Sequence, residues 1–361
     1  MPEFVDWKTT ADPLAVIGSA VDAIRRGELV AFPTETGYAV AGLAGEAAPA
    51  KVIPVAEANW SLALPRPLTI NEWVIDLGFV ALRLPRRCWP GPLRLLLQGM
   101  LNPAKLALLS GPARERVLQK ESLAVRIPAH EAFLEVLRQV SEPLFLAEGA
   151  DESGPVWIHS LGEAVSMALE DDSPRFPQPP TWVRIKPNEW SIEREGVYSQ
   201  EELERLSACF VYFVCTGNTC RSPMAAAIAR KLLAERLGCR EDELPLRGFL
   251  VMSGGIAAER GQPAAAEALQ AVKAYGADLS LHSSRQVNPE LLAQSDYLFT
   301  MTRGHAESLA QLYPDLKLAP RLLGGDLDLE DPLGCDQNTY DECAQAIRDH
   351  IQRWLAEAVP Q

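Results

Sequence analysis

The sequence predicts two α/β domains in tandem, and three observations carry that reading. The chain has 361 residues, more than one hydrophobic core usually organises, since domains cluster at roughly 100–150 residues. The apolar run Cys209-Phe210-Val211-Tyr212-Phe213 leads through a small-residue loop into Met224-Ala225-Ala226-Ala227-Ile228-Ala229-Arg230, a buried strand, a loop and an Ala-rich helix. Far upstream, Gly27-Glu28-Leu29-Val30-Ala31-Phe32 reads as another strand running into a Pro33-Thr34 loop, and Trp182-Val183-Arg184-Ile185 alternates like a strand. The break is expected near Gln200–Arg205, giving domains of residues 1–205 and 206–361. The Pro-rich stretch Pro174–Pro180 comes earlier, but alternation resumes after it, so it is read as a loop inside the first domain.

Charge narrows the classes of partner. The net charge of −14 divides into −8 for residues 1–205 and −6 for the rest, so neither domain has the basic balance of a nucleic-acid binder. The one basic cluster, Arg83-Leu84-Pro85-Arg86-Arg87, is read as a solvated turn. No apolar run approaches a membrane span, and the amino terminus lacks the basic-then-apolar order of a signal peptide. Seven cysteines, an odd number, point to a reducing cytosol. The five histidines are scattered and no Cys/His spacing suggests a metal site. Pro263-Ala264-Ala265-Ala266 reads as an Ala-rich helix start with no chemistry in it.

The chemistry is concentrated in Cys215-Thr216-Gly217-Asn218-Thr219-Cys220-Arg221-Ser222-Pro223. A helix start offers unpaired N–H groups and a partial positive charge to an anion. Cys215 sits at the foot of that field, where a thiolate is favoured at neutral pH. Arg221 can curl back to grip a phosphate with its planar fork. Gly217 is expected to let the backbone turn its amides inward, Asn218 to take a left-handed conformation, and Ser222 to donate its hydroxyl to the thiolate. Thr216, Thr219 and Cys220 complete the loop around the anion. A bare Cys-x5-Arg spacing is a weak signal, but here each residue between and after has a physical task.

With those residues in view, the chain from about Cys209 to Val359 resembles the low-molecular-weight protein-tyrosine phosphatase family. Further matches are Met252-Ser253-Gly254-Gly255, Leu281-His282-Ser283-Ser284-Arg285-Gln286, Tyr297-Leu298-Phe299-Thr300-Met301-Thr302 and Glu330-Asp331-Pro332-Leu333-Gly334. Gly254 stands where the family usually has alanine, a change read as harmless. The resemblance implies a parallel-sheet, three-layer α/β phosphatase domain with no cofactor and no metal. It makes Cys215 a nucleophile forming a phospho-cysteine, Arg221 and the loop amides the phosphoryl clamp, and Asp331 the general acid and then base. On residues alone, Asp331 is one of several acids in Asp326–Asp331. Cys220 could form a disulfide with the nucleophile or be a packed thiol, and His282 is read as structural. Thr219 resembles the protein-arginine-phosphatase branch, where tyrosine-specific relatives commonly carry isoleucine. Leu333 and Gly334 follow Asp331-Pro332 where tyrosine phosphatases tend to have aromatics, with Tyr340 further on, so phosphoarginine and phosphotyrosine both stand as substrates. An arsenate-reducing relay would need cysteines that the stretch between Cys239 and Cys335 lacks, with Cys335 and Cys343 as thin stand-ins.

The first domain resembles the threonylcarbamoyl-adenylate synthase (YrdC-like) family through Pro33-Thr34-Glu35-Thr36-Gly37-Tyr38, Cys88-Trp89-Pro90-Gly91-Pro92-Leu93, Leu123-Ala124-Val125-Arg126-Ile127-Pro128 and Trp190–Gly196. That family makes an activated intermediate for tRNA modification from threonine, bicarbonate and ATP, on a twisted α/β sheet with a deep pocket. Several pocket residues depart from its pattern. Ala58-Asn59-Trp60-Ser61 stands where a Lys-x-Arg pair is expected, which leaves Arg66 to meet a phosphate. Arg94 replaces a threonine. Glu148-Gly149-Ala150-Asp151-Glu152 replaces a Ser-x-Asn motif before Ser153-Gly154, and its carboxylates would repel a triphosphate. The resemblance implies a degenerate domain.

The expected function is therefore a cytoplasmic phosphatase acting on phosphorylated protein side chains, fused to an inactive synthase-like domain. The alternative is an L-threonylcarbamoyladenylate synthase with an accessory phosphatase, and ATP, nucleotide or RNA binding by the first domain stays open.

Overall fold

A computed structural model of the protein describes residues 3–45, 58–75, 78–149, 155–171, 174–186 and 189–358. The Ala150–Gly154 segment of the degenerate motif lies outside them. By its internal contacts the chain divides into two compact units, Met1–Ser207 and Ala208–Gln361.

The first unit is built on a mixed sheet of eleven strands. Its strands are β1 (Glu3–Asp6), β2 (Val30–Thr34), β3 (Gly37–Leu43), β4 (Ala58–Ala63), β6 (Leu93–Leu97), β8 (Leu118–Gln119), β9 (Ser122–Arg126), β10 (Leu144–Gly149), β11 (Met167–Glu170), β12 (Thr181–Lys186) and β13 (Glu189–Arg194). A separate pair, β5 (Val74–Ile75) and β7 (Met100–Leu101), stands beside it. The order is β1-β11-β2-β3-β10-β4-β9-β6-β12-β13, with β8 paired to β9. The central strands are buried along their whole length, as an apolar run without alternation requires. β12 alternates buried and half-buried positions, as its sequence predicts. Helix α1 (Pro13–Arg25) starts at Asp12, whose carboxylate accepts the Ala15 N–H at 3.0 Å, and buries Ile17, Ala20, Val21 and Ile24 at helical spacing.

Two segments differ from their sequence expectation. Pro33 and Thr34 are not a loop but the last residues of β2, antiparallel to β3, and only Glu35-Thr36 turn the chain. The basic cluster is not a solvated turn either. It lies in helix α2 (Gly78–Cys88), with Pro85 inside it. Arg83 donates to the Ser207 carbonyl at 3.4 Å and Arg87 to the Leu206 carbonyl at 2.7 Å. Those are terminal carbonyls of the later helix α4 (Gln200–Ser207), after α3 (Glu131–Gln139), and they have no partner within α4. The arginines cap α4 and satisfy its negative end, so α4 packs on α2 and belongs wholly to the first unit.

The second unit has a parallel sheet of four strands, β14 (Cys209–Cys215), β15 (Phe249–Gly255), β16 (Tyr297–Thr300) and β17 (Arg321–Leu322), in the order β15-β14-β16-β17. Its helices are α5 (Arg221–Leu237), α6 (Ala266–Lys273), α7 (Pro289–Gln294), α8 (Arg303–Leu312) and α9 (Gln337–Ala358). Strand β14 sends Cys209, Val211, Phe213 and Cys215 into a core shared with α5, α6 and α9. Phe210, Tyr212 and Val214 point the other way, against Leu292 of α7 and Leu309 of α8. Helices on both faces of a parallel sheet make the three layers that the family resemblance implies. Ala225, Ala226, Ala227 and Ala229 are buried, and their small side chains let α5 lie close between sheet and α9.

Gly254 has a structural reason. A Cβ there would stand 2.5 Å from the Tyr212 hydroxyl oxygen, so the large ring on β14 takes the room an alanine would fill. Gly254→Ala is expected to lower stability by about 1–3 kcal/mol as overpacking. Chemical denaturation should show Tyr212→Phe recovering part of that loss.

Candidate active site

Strand β14 ends at Cys215 and helix α5 begins at Arg221, so the loop 216–220 closes over the amino-terminal end of the helix. Asn218 adopts φ 54°, the left-handed region that asparagine tolerates. Gly217 is not the residue that needs a special conformation, contrary to expectation. A Cβ on it would sit 3.6 Å from Thr219 Oγ1, an ordinary contact. The close approach occurs at Gly255, where a Cβ would lie 2.4 Å from the Thr216 carbonyl oxygen and 2.9 Å from the Asn218 nitrogen.

Hydrogen-bond accounting shows what the loop offers. The Asn218 N–H points at Cys215 Sγ at 3.2 Å, and Ser222 Oγ is 2.9 Å from the same sulfur. Among the described residues, no protein acceptor takes the N–H of Thr216, Gly217, Thr219 or Cys220. Four free amides around one sulfur at a helix start form an anion cradle. Arg221 lies beside it, buried, donating from Nη1 to the Leu329 carbonyl at 3.0 Å and ion-paired through Nη2 with Asp331. The three residues expected to carry the chemistry, Cys215, Arg221 and Asp331, are thus brought together, although 110 residues separate the last two.

Asn218 ties the cradle to its surroundings. Its Nδ2 donates to Ser222 Oγ and Ser253 Oγ, both at 2.9 Å, while its Oδ1 accepts the Arg285 N–H at 3.0 Å. His282 Nε2 donates to the Asn218 carbonyl at 2.8 Å, the structural part expected of it. Burial lowers its pKa, so the ring is held neutral with its proton on Nε2.

Opposing influences act on the Cys215 thiol. Burial is the largest influence and pushes its thiol up. The Ser222 hydroxyl, the Ser222 and Asn218 backbone amides and the Arg221 charge pull the other way. Since the hydroxyl donates to the thiolate form, Ser222→Ala is expected to raise the midpoint of Cys215 alkylation by iodoacetamide measured against pH. An unchanged or lower midpoint would remove Ser222 from that role.

Other expected residues fall elsewhere. Thr219 is half-buried with its Oγ1 3.6 Å from Cys220 Sγ, and Cys220 contacts the Tyr340 hydroxyl at 3.3 Å. Tyr340 is buried on α9 and is no wall for a substrate ring. Leu333 is 66% exposed, and its N–H meets Asp331 Oδ1 at 3.3 Å. All seven cysteines are free. Cys335 is exposed, and burial pushes the Cys343 thiol up to about 12, which makes it a poor relay nucleophile. Sequence reasoning missed His305 and Arg303 on α8. Arg303 fastens the segment that carries Asp331, through its N–H to Asp328 Oδ1 at 2.8 Å and its guanidinium to the Asp326 carbonyl at 2.6 Å. The available signal was the Thr302-x-x-His305 helix start.

In the first unit, a cavity of about 160 Å³ is lined by Thr36, Asn59, Arg94, Glu148, Trp182 and Arg194 among others. Glu148, expected to repel a triphosphate, has its charge engaged by neighbouring arginines. It is ion-paired with both Arg94 and Arg126, and Arg126 also binds Glu35 at 2.8 Å and Thr36 Oγ1 at 3.0 Å. Arg94 has no solvent exposure and stacks over Trp182 at 4.5 Å. A neighbouring cavity of about 500 Å³ is lined by Lys8, Thr34, Glu35, His130, Asp171 and Arg175 with several prolines. Arg66 is exposed at the Pro67–Thr69 turn and lines neither cavity.

Comparison with known proteins agrees with this division. Residues 210–360 match the family model for low molecular weight phosphotyrosine protein phosphatase. Residues 22–196 match the Sua5/YciO/YrdC model, described as telomere recombination. The chain is 33% identical over 147 residues to a protein-arginine-phosphatase of Geobacillus stearothermophilus, covering 39% of this chain and 88% of that one. It is 31% identical over 142 residues to arsenate reductase 2 of Staphylococcus haemolyticus, covering 39% and 89%. A crystal structure of the low molecular weight protein tyrosine phosphatase from T. tengcongensis aligns at 32% identity and TM-score 0.37, covering 42% of this chain and 99% of that one. Through its carboxy-terminal unit, preceded by a Sua5/YciO/YrdC-type domain, the chain belongs to the low molecular weight phosphotyrosine protein phosphatase family, cysteine-dependent hydrolases that work through a phospho-cysteine.

Proposed function

We propose that the carboxy-terminal unit dephosphorylates protein side chains, phosphoarginine ahead of phosphotyrosine, with Cys215, Arg221 and Asp331 in the three chemical roles. The observation that carries the reading is the buried Cys215 sulfur, hydrogen-bonded to Ser222 and facing free amides. An arriving phosphoryl group takes the Arg221 fork from Asp331, and its oxygens are held by the amides of Thr216, Gly217, Thr219 and Cys220. Cys215 attacks as the thiolate, its proton given up to solvent, and the S–P bond forms as the bond to the leaving nitrogen or oxygen breaks. The Asp331 carboxyl, which takes up a proton when Arg221 turns to the phosphoryl group, supplies that proton to the leaving atom. Asp331, now a carboxylate, then takes a proton from the water that releases phosphate from the sulfur.

Thr219 supports the phosphoarginine preference. Its small hydroxyl side chain leaves room where the isoleucine of tyrosine-specific relatives would crowd a guanidinium, and a protein-arginine-phosphatase is among the chain's relatives. The absence of aromatics after Pro332 weakens the tyrosine reading. The test is kcat/KM on matched phosphoarginine and phosphotyrosine peptides, with Cys215→Ser as the blank. A preference for phosphotyrosine would sink the substrate assignment, and no turnover above the blank would sink the mechanism.

The first unit is read as a domain without synthase activity. Arg94 and Glu148 are engaged in their own ion pair within the cavity they line, so neither is left to meet a triphosphate. The net charge of −8 in its stretch of the chain gives RNA little to bind. ATP and threonine together are expected to leave its melting temperature unchanged, and a rise would revive the synthase reading. A cytoplasmic location suits seven free thiols, and among the described residues no helix is long and apolar enough to cross a membrane.

A further inference from the structure

The catalytic loop receives a hydrogen bond that its own motif does not supply. His305, in the first turn of α8, is 7% exposed and brings Nε2 to 2.9 Å from Thr216 Oγ1, in the residue next to the nucleophile. Its other ring nitrogen, Nδ1, lies 2.8 Å from Thr302 Oγ1. Thr302 is the N-cap of α8, and its Oγ1 also accepts the His305 backbone N–H at 3.3 Å. The ring is therefore fixed from one side by the helix cap and presents its far nitrogen to the cradle.

The direction of this chain follows from proton counting. Burial, helped by the Arg221 charge, lowers the pKa of His305 against the opposing pull of Asp331 and Asp328. A neutral imidazole has one N–H and one bare nitrogen. Thr302 Oγ1 already accepts one N–H, and its own proton goes to Nδ1 in the assignment that uses every group once. Nε2–H then donates to Thr216 Oγ1.

Thr216 is thereby held at two points. Its carbonyl accepts the Ala257 N–H at 3.0 Å from the loop after β15, and its hydroxyl is held by His305 from α8. The polar group left over is its backbone N–H, one of the four amides of the cradle. We infer that His305 is a positioning residue for the phosphatase reaction, acting through the Thr216 side chain to aim the first amide of the loop at the phosphoryl group. The inference rests on the phosphatase reading above and adds to it a residue outside the Cys215–Ser222 motif.

The test is a double-mutant cycle in the full-length protein with His305→Ala and Thr216→Val. It is read as kcat and KM on p-nitrophenyl phosphate and as the affinity for inorganic phosphate by calorimetry. Each single change is expected to lower kcat roughly 10- to 100-fold, the scale of a small misplacement in a reacting geometry. The double variant should be no worse than the poorer single one. His305→Gln, whose amide N–H falls near the place of Nε2–H, should restore most of the rate. Losses that multiply in the double variant, or a Thr216→Val protein at full rate, would overturn the inference. Thr216 is exposed, so Thr216→Val tests the inference even where His305→Ala does not fold. Absence of wild-type turnover would instead count against the phosphatase reading, and the phosphate affinities would still report the coupling.

Discussion

Asp331→Asn is expected to slow hydrolysis of a phosphopeptide by roughly 10²- to 10⁴-fold, the usual worth of a positioned general acid. The loss in kcat/KM on p-nitrophenyl phosphate, whose leaving group departs as an anion unaided, should be far smaller, because kcat/KM reports formation of the phospho-cysteine and not its hydrolysis. The contrast isolates the proton-transfer role from a second one. Asp331 also forms the ion pair with Arg221, whose guanidinium is buried while the Asp331 side chain is 45% exposed. Asparagine keeps the shape and a hydrogen-bond acceptor but removes both the proton and the charge. Were Asp331 only a tether for Arg221, phosphate affinity would fall and both substrates would suffer alike. If it is the acid, the penalty follows the basicity of the leaving group. A plot of log kcat/KM against leaving-group pKa, steep for Asp331→Asn and shallow for the unchanged protein, is the expected result. Parallel lines would return the role to Glu330 or another acid of the 326–331 segment.

The cradle was legible in the sequence because it is local. Nine consecutive residues fix strand end, loop and helix start, and their hydrogen bonds run mostly among themselves: Ser222 to Cys215, and Asn218 to both. The partners that come from afar were legible only as motifs. Ser253, His282 and Arg285 all meet Asn218, yet no spacing within the chain announces this, because strand β15 and the segment between α6 and α7 bring them to one end of a parallel sheet. His305 escaped for the same reason, and a single histidine in a helix carries no periodic signal. The basic cluster failed differently. A proline and three arginines read locally as a turn, but the unsatisfied carbonyls of a helix more than a hundred residues later decide their structure. In the first unit, sequence comparison exposed the altered positions and suggested a repulsive pocket. Only the fold reveals that two of the alterations, Arg94 and Glu148, are partners of each other. The protonation balance of Cys215 was equally out of reach, because burial is a property of the assembled core.

That partnership sets the largest stability effect expected in the molecule, at Arg126→Met. Arg126 has no solvent exposure and stands between Glu35 and Glu148, with Thr36 as a further acceptor. Methionine fills much of its volume, so the change removes charge more than packing. It leaves two carboxylates, 6% and 4% exposed, with Arg94 bonded to only one of them and the Ala129 N–H to the other at 2.7 Å. Breaking one partner out of a buried ionic group costs about 3–5 kcal/mol, because the remaining charge keeps its desolvation penalty and loses its compensation. A domain whose whole stability is about 5–15 kcal/mol would lose a large part of it. Denaturant titration of the full-length protein should then show the first unit unfolding earlier, while p-nitrophenyl phosphate turnover persists past that transition. Replacing the whole quartet, Glu35, Arg94, Arg126 and Glu148, by apolar residues of similar volume should restore most of the stability, since no unpaired charge is left. If Arg126→Met costs less than about 1 kcal/mol, water reaches these groups and the pocket is open enough for a ligand. The synthase-like domain would then have to be reconsidered as a binding module.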